Sequence, residues 1–220
     1  MINLVQPFWK PASWTSFDVV RKVRNTTHIR KIGHAGTLDP FAEGILVLCF
    51  GKATKQASEI MKQEKEYLAK VKLGITTDTL DPTGKITERK LVPALSEEAL
   101  EKVCNRFIGT IQQVPPMFSA LKVNGTRLYQ LARQGKTLPR EPREIHIFSI
   151  DLQNWNSPDE FDILVRCGKG TYIRSLAADL AEALGTVGHL IALSRTRVGS
   201  FRESDAIQME QLPFWKPTEA

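Results

Sequence analysis

Cysteine and histidine are scarce in this chain, at three and four of 220 residues. Cys49, Cys104 and Cys167 stand far apart, make no C-x-x-C pair and are odd in number, which argues against both a disulfide framework and a structural zinc site. They read as reduced core thiols. Long apolar runs are missing too: the longest, ILVLCF at residues 45–50, is far short of the roughly 20 residues that cross a bilayer. The opening residues, MINLVQPFWKPAS, carry no basic start and no apolar stretch of signal-peptide length, so a cytoplasmic location is expected. Acidic residues are absent from two stretches. Residues 19–38 hold Arg21, Lys22, Arg24, Arg30 and Lys31, and residues 119–140 hold Lys122, Arg127, Arg133, Lys136 and Arg140, with no Asp or Glu in either. Each stretch alone reads equally as a solvated face or a binding surface, but with a net charge of +6 the pair points to a polyanion, and to nucleic acid above others.

What remains is ordinary for a soluble protein: 42% hydrophobic and 25% charged residues exclude disordered and collagen-like classes and allow a real core. The length fits one large domain, with at most a small appendage. Thr15 or Ser16 is placed to cap a helix over residues 17–25, with Val19, Val20 and Val23 as its apolar stripe. KIGHAGTLDPFAEG then has no period and four residues of glycine or proline, an ordered loop ahead of the buried strand ILVLCF. KEYLAKVKLG alternates, with Tyr67, Ala69, Val71 and Leu73 on one inward face, and leads into a TTDTLDPTG turn. Ser96 opens a helix to about residue 107, GTIQQV is strand-like, residues 126–134 form a short helix stopped by Gly135, and residues 144–152 and 160–167 are strands. TYIRSLAADLAEALG is the clearest helix, with Arg174 in its first turn. The order predicts an α+β fold with one mixed sheet and packed helices. The pentapeptide PFWKP occurs at 7–11 and again at 213–217, and since neither neighbourhood extends the match, coincidence is the expected explanation.

Few residues are placed for chemistry. Asp39 precedes Pro40, which steers its backbone toward an extended conformation; it reads either as a reactive carboxylate or as a plain Asp-Pro turn. His34 has no second histidine or cysteine spaced to complete a metal site, which leaves it as a base or an RNA contact. Arg174, on a mostly apolar helix, needs a carboxylate if it is buried, and Asp39 would suit it. Lys10 and Pro11 fit a turn, and Tyr172 fits a core.

KPASWTSFDVVRKVR, RKIGHAGTLDPFAEGIL, KEYLAKVKLG, QVPPMFSALKVNGTRLYQLARQG and GKGTYIRSLAADLAEALG resemble, in order and spacing, the successive motifs of the TruB family of tRNA pseudouridine synthases. The resemblance covers nearly the whole chain. It implies a pseudouridine synthase fold on a central twisted, largely antiparallel sheet, and isomerisation of the uridine at tRNA position 55, in the T loop. It implies that Asp39 is the catalytic aspartate, Tyr67 the active-site tyrosine and Arg174 the partner of Asp39. Tyr172 and Leu193 fall on pocket-lining positions, Lys10 on the lysine of the KP motif and His34 on a T-loop contact. Residues 118–140 match the RNA-gripping thumb, whose Lys122, Arg127 and Arg133 are expected to bind substrate. Ser13 departs from the family's usual glycine and Ser194 from a common arginine. Residues 1–220 are expected to be the catalytic domain alone, without the small C-terminal RNA-binding domain of many members.

Breaking the bond from ribose C1′ to N1 and rejoining the ribose at C5 changes neither composition nor redox state, so no cofactor or metal is expected. An aspartate can attack sugar or base and hold the fragments while uracil turns. The target base must leave its stack to be reached. The expected partner is the T arm of tRNA, with no membrane, no obligate protein partner and a monomeric enzyme. Two alternatives are a guide-RNA-dependent synthase of the dyskerin class and a non-catalytic tRNA-folding chaperone.

Overall fold

The computed structural model describes residues 2–123, 125–157 and 159–217, and at residues 122, 156 and 157 only the main chain. The chain forms two compact units, one of the residues up to 68 with those from 193 onward, the other of residues 69–192. In the first, β1 (Val5–Lys10) leads to α1 (Ser16–Thr27), β2 (Ile32–His34) and β3 (Glu43–Phe50). Thr15 caps α1: its hydroxyl accepts from the Asp18 amide at 3.1 Å, and the Asp18 carboxylate accepts from the Thr15 amide at 2.9 Å. Such a reciprocal cap contributes about 1 kcal/mol. Val19, Val20 and Val23 pack with Phe8, Leu46, Leu48 and Phe50, while Ile45, Val47 and Cys49 pack with Ala35, Ile60 and Val198. Strand β3 is thus buried on both faces, which is why its sequence is apolar without alternation.

A 3-10 turn (Gly51–Gln56) and α2 (Ala57–Lys62) carry the chain into β4 (Lys65–Leu73), which passes from the first unit into the second. There follow the hairpin of β5 (Ile75–Thr77) and β6 (Ile86–Arg89), α3 (Glu97–Arg106) capped by Ser96, β7 (Gly109–Gln113), a small hairpin of β8 (Lys122–Val123) and β9 (Thr126–Arg127), α4 (Leu128–Arg133), β10 (Arg143–Ser157), β11 (Glu160–Cys167) and α5 (Ile173–Ala183). Strand order in this unit is β4–β11–β10–β7, with β10 antiparallel to both neighbours. Helix α5 buries Ile173, Leu176, Ala177, Leu180 and Ala181.

Strand β12 (Gly188–Val198) returns to the first unit and β13 (Phe201–Arg202) pairs with its end. The order there is β1–β3–β12–β4; β1 and β2 are antiparallel to β3, whereas β12 runs parallel to it, Ser194 opposite Glu43 and Arg195 opposite Gly44. The mixed, mostly antiparallel pairing and the packed helices make an α+β fold, as the sequence predicts. The repeated pentapeptide has a structural tie: Trp215 of the second copy packs edge-on against Phe8 of the first, ring centroids 5.1 Å apart. The three cysteines are buried thiols, and burial pushes Cys49 and Cys104 up to about 11.

Candidate active site

Asp39 sits half-buried between β2 and β3, in a loop whose carbonyls are satisfied one after another. Arg195 on β12 donates Nη2 to Gly36 O at 3.2 Å and Nη1 to Thr37 O at 3.4 Å. The Ser16 hydroxyl, buried at the start of α1, accepts from the Leu38 amide at 2.9 Å and donates to Leu38 O at 3.1 Å. Asp39 O accepts from Ala42 N at 3.2 Å, and Pro40 O accepts from Ser13 N at 2.7 Å and Lys10 Nζ at 3.3 Å. Five successive peptide oxygens therefore have donors drawn from three separate segments. Leaving one buried carbonyl unsatisfied costs about 1–3 kcal/mol, so the loop has little freedom to relax. The position of Asp39 is fixed through its main chain.

Lys10 is fully buried, and its ammonium donates to Pro11 O at 2.8 Å, Trp14 O at 2.7 Å and Pro40 O at 3.3 Å. With its three N–H donors on peptide oxygens, Lys10 ties the KP turn to the Asp39 loop. Burial pushes its pKa down to about 8, against the opposing pull of Asp39. Ser13, at the departure from the usual glycine, keeps a left-handed backbone with φ +70°. Its amide donates to Pro40 O in this conformation, which costs a non-glycine residue about 1 kcal/mol. His34 lies on β2, half-buried, and burial with the nearby Arg195 charge pushes its pKa below the ordinary value. That shift favours the neutral imidazole, which suits hydrogen bonding rather than ion pairing. Tyr67, half-buried on β4, shares the strand face of the buried Lys65 and Ala69. Leu193 is buried on the neighbouring β12, and Thr196 and Arg197 of β12 bond Glu66 and Glu64 of β4 at 2.8 and 2.5 Å.

In the second unit Arg174 is buried in the first turn of α5. Its guanidinium donates to Thr79 O at 2.7 Å and Phe118 O at 2.8 Å, and lies 3.7 Å from Asp81 Oδ2. Asp81 is held by its own turn, accepting from Thr79 Oγ1 at 2.7 Å, Thr83 N at 2.9 Å and Thr83 Oγ1 at 2.6 Å. Tyr172 is the N-cap residue of α5; the buried Gln113 side chain accepts from its amide at 2.8 Å and donates to its carbonyl at 3.1 Å. Ser175 donates to Val114 O at 2.9 Å. The start of α5 thus anchors the segment that leads into residues 118–140. There, Arg127 and Arg133 flank Tyr129, their guanidinium carbons 6.0 and 5.5 Å from its ring centroid. The side chain of Lys122 lies outside the described residues. Arg21 and Lys22 of the first basic stretch border a surface groove with Trp14, Asp18 and Asn25, Arg21 being paired to Asp18 at 2.6 Å.

Sequence reasoning missed Arg195, Ser16, Gln113 and Asp81. Only Asp81 had a local signal, the threonines two residues to either side, which form an Asx-type turn. The others act on main-chain atoms of distant segments.

A carboxylate on a loop pinned at each peptide, with basic surfaces nearby in the sequence, suits nucleophilic chemistry on a nucleic acid. Comparison with known proteins defines the class. Residues 24–173 match the family described as TruB family pseudouridylate synthase (N terminal domain), and residues 174–216 match the tRNA pseudouridylate synthase B C-terminal domain. Curated relatives named tRNA pseudouridine synthase B, from Francisella tularensis subsp. tularensis (strain WY96-3418) and from Francisella philomiragia, are 48% identical over 212 residues, 96% of this chain and 70% of theirs. A crystal structure of a Cbf5-Nop10-Gar1 complex is similar over 97% of this chain with a TM-score of 0.76 and 28% identity; an H/ACA RNP bound to a substrate RNA gives 0.72 and 25%. The chain spans about half the length of those two structures' matching chains, 54% and 53%. The class is that of the pseudouridylate synthases. Within it, the chain belongs to the TruB family.

Proposed function

We propose that this chain isomerises the uridine at position 55 in the T loop of tRNA to pseudouridine, with Asp39 as nucleophile. The observation that carries the reading is the loop of residues 36–40, whose every carbonyl is held by a donor, because a nucleophile gains most when it is placed before the substrate arrives. Asp39 attacks sugar or base, the C1′–N1 bond breaks, uracil turns, C1′ bonds to C5, and the C5 proton is lost while N1 gains one. The ledger of atoms and electrons closes without cofactor or metal.

Arg174 is the carboxylate's partner in this reading, its planar fork favouring the ionised form in one orientation. Tyr67 stacks on or exchanges a proton with the flipped base, Tyr172 and Leu193 line the pocket, and His34, Lys122, Arg127 and Arg133 hold the RNA. The enzyme acts in the cytoplasm as a monomer on the T arm, and no described helix is long and apolar enough to cross a membrane. The likeness to H/ACA assemblies favours a second reading, guide-RNA dependence, but 48% identity to tRNA-acting relatives outweighs 25–28%.

The test is release of label from C5-tritiated uridine in an unmodified tRNA transcript. Asp39→Asn keeps the shape and loses the nucleophile, so turnover is expected to vanish while tRNA binding stays within about tenfold, roughly 1.4 kcal/mol. Single-turnover product at near wild-type rate in that variant overturns the assignment.

A further inference from the structure

Arg195 is buried, and no carboxylate lies within ion-pair distance of it among the described residues. Burying a cation without an ionic partner costs free energy that an aliphatic side chain in the same slot would not. Packing alone therefore gives no reason for arginine here. Its neighbours on β12 that face the core, Leu193 and Val198, are apolar, and a leucine or methionine would continue that pattern. What the guanidinium does use is its directional fork. Nε donates to Ile45 O at 2.8 Å, on β3, while Nη1 and Nη2 reach Thr37 O and Gly36 O at 3.4 and 3.2 Å. One planar group thereby ties the start of the Asp39 loop to the strand that follows it.

Strand pairing brings the main chain of Arg195 close against the end of the loop. Gly44, opposite Arg195 in the parallel pair, has φ +114°, and a Cβ there would lie 2.4 Å from Arg195 O. Gly36, with φ +103°, turns its carbonyl toward the guanidinium in a conformation that side chains rarely adopt. Lys10 and Ser13 secure the other end of the loop at Pro40 O.

We propose that Arg195 is a positioning residue for Asp39, holding the carbonyls of Gly36 and Thr37 so that the nucleophile is aligned before substrate binds. This rests on the assignment of Asp39 as nucleophile. The group acts through the main chain and needs no contact with RNA, so it affects the chemical step and leaves tRNA affinity alone. A lysine's ammonium is a point charge without the rigid planar fork that spans Ile45 O on one side and Gly36 O and Thr37 O on the other.

The experiment compares wild type, Asp39→Asn, Arg195→Lys and Arg195→Ala in the tritium-release assay, with tRNA binding and thermal melts for each. Wild-type turnover abolished by Asp39→Asn establishes the underlying reading independently; its failure there is a failure of the proposed function. Arg195→Lys is expected to lower kcat by about thirtyfold or more with KM within about threefold, and guanidinium ion added to Arg195→Ala is expected to restore kcat about tenfold. A rise in KM alone, an unchanged kcat, or absence of guanidinium rescue overturns the proposal. If both variants are unfolded at the assay temperature, Arg195 builds the fold and the proposal likewise falls.

Discussion

Asp39 and Asp81 stand in the same tetrapeptide, TLDP, at residues 37–40 and 79–82, and the structure gives them different surroundings. At Asp81 the hydroxyls of Thr79 and Thr83 bond the carboxylate, whereas two residues beyond Asp39 stands Phe41, which has no hydroxyl to offer. The loop at Asp39 is instead held through its peptide oxygens, and Lys10 is the most pH-sensitive of the holders. With a folded pKa of about 8 against 10.5 for an unperturbed lysine, the unfolded chain binds more protons between those values, so this group makes stability rise with pH across that window. Activity is expected to move the other way, because deprotonation removes both the charge and one of three donors from the carbonyls of Pro11, Trp14 and Pro40. A pH series of kcat is expected to fall about tenfold per unit above roughly pH 8, with the urea midpoint not falling. In Lys10→Arg, which does not deprotonate, that limb disappears. A flat kcat to about pH 9.5 in the wild type removes the role.

At the scale of elements, the β8–β9 hairpin and α4 carry the clearest electrostatic prediction. Arg127 and Arg133 are exposed and braced on the Tyr129 ring, which presents two cations in fixed positions. Neutralising Lys122, Arg127 and Arg133 together is expected to flatten the log–log salt dependence of tRNA binding by about 0.7–0.9 per lost phosphate contact. An unchanged slope would take this hairpin and helix off the RNA. Elements with a clean period or an unbroken apolar run were legible in the sequence: α1, with Thr15 or Ser16 expected to cap it, β3, β4, α3 and α5 all lie within a few residues of expectation. Strand β12 was not, because Arg195 occupies a core-facing slot and breaks the apolar alternation by which a strand is recognised. Strand β1 was missed for a kindred reason, with Pro7 interrupting it and the buried Lys10 ending it. Short-range chemistry is written locally, but Ser16, Gln113 and Arg195 act on carbonyls and amides 22 to 159 residues away, and nothing in their neighbourhood announces it.

For the whole molecule, the question is how much of a tRNA the chain needs. The net charge of +6 is concentrated in two acid-free stretches, one along α1 and the residues after it, the other in residues 119–140. Together with the roles proposed for His34 and for a flipped-base pocket, the contacts expected of these stretches can all be met by one stem and its loop. RNA loops are read by shape and splayed bases, so under the proposed function the folded T loop is expected to carry more of the recognition than the stem's sequence. An isolated T-arm stem-loop is therefore expected to be modified without guide RNA, protein partner, metal or nucleotide. The measurement is kcat/KM for the stem-loop and for full-length tRNA, both with a chelator present. A ratio within about a thousandfold, some 4 kcal/mol of transition-state binding, fits recognition confined to that arm. A larger loss would place the missing affinity elsewhere on the tRNA or in a partner. Restoration by an added guide RNA would then move the protein to the guide-dependent reading that its likeness to the H/ACA assemblies brings into view.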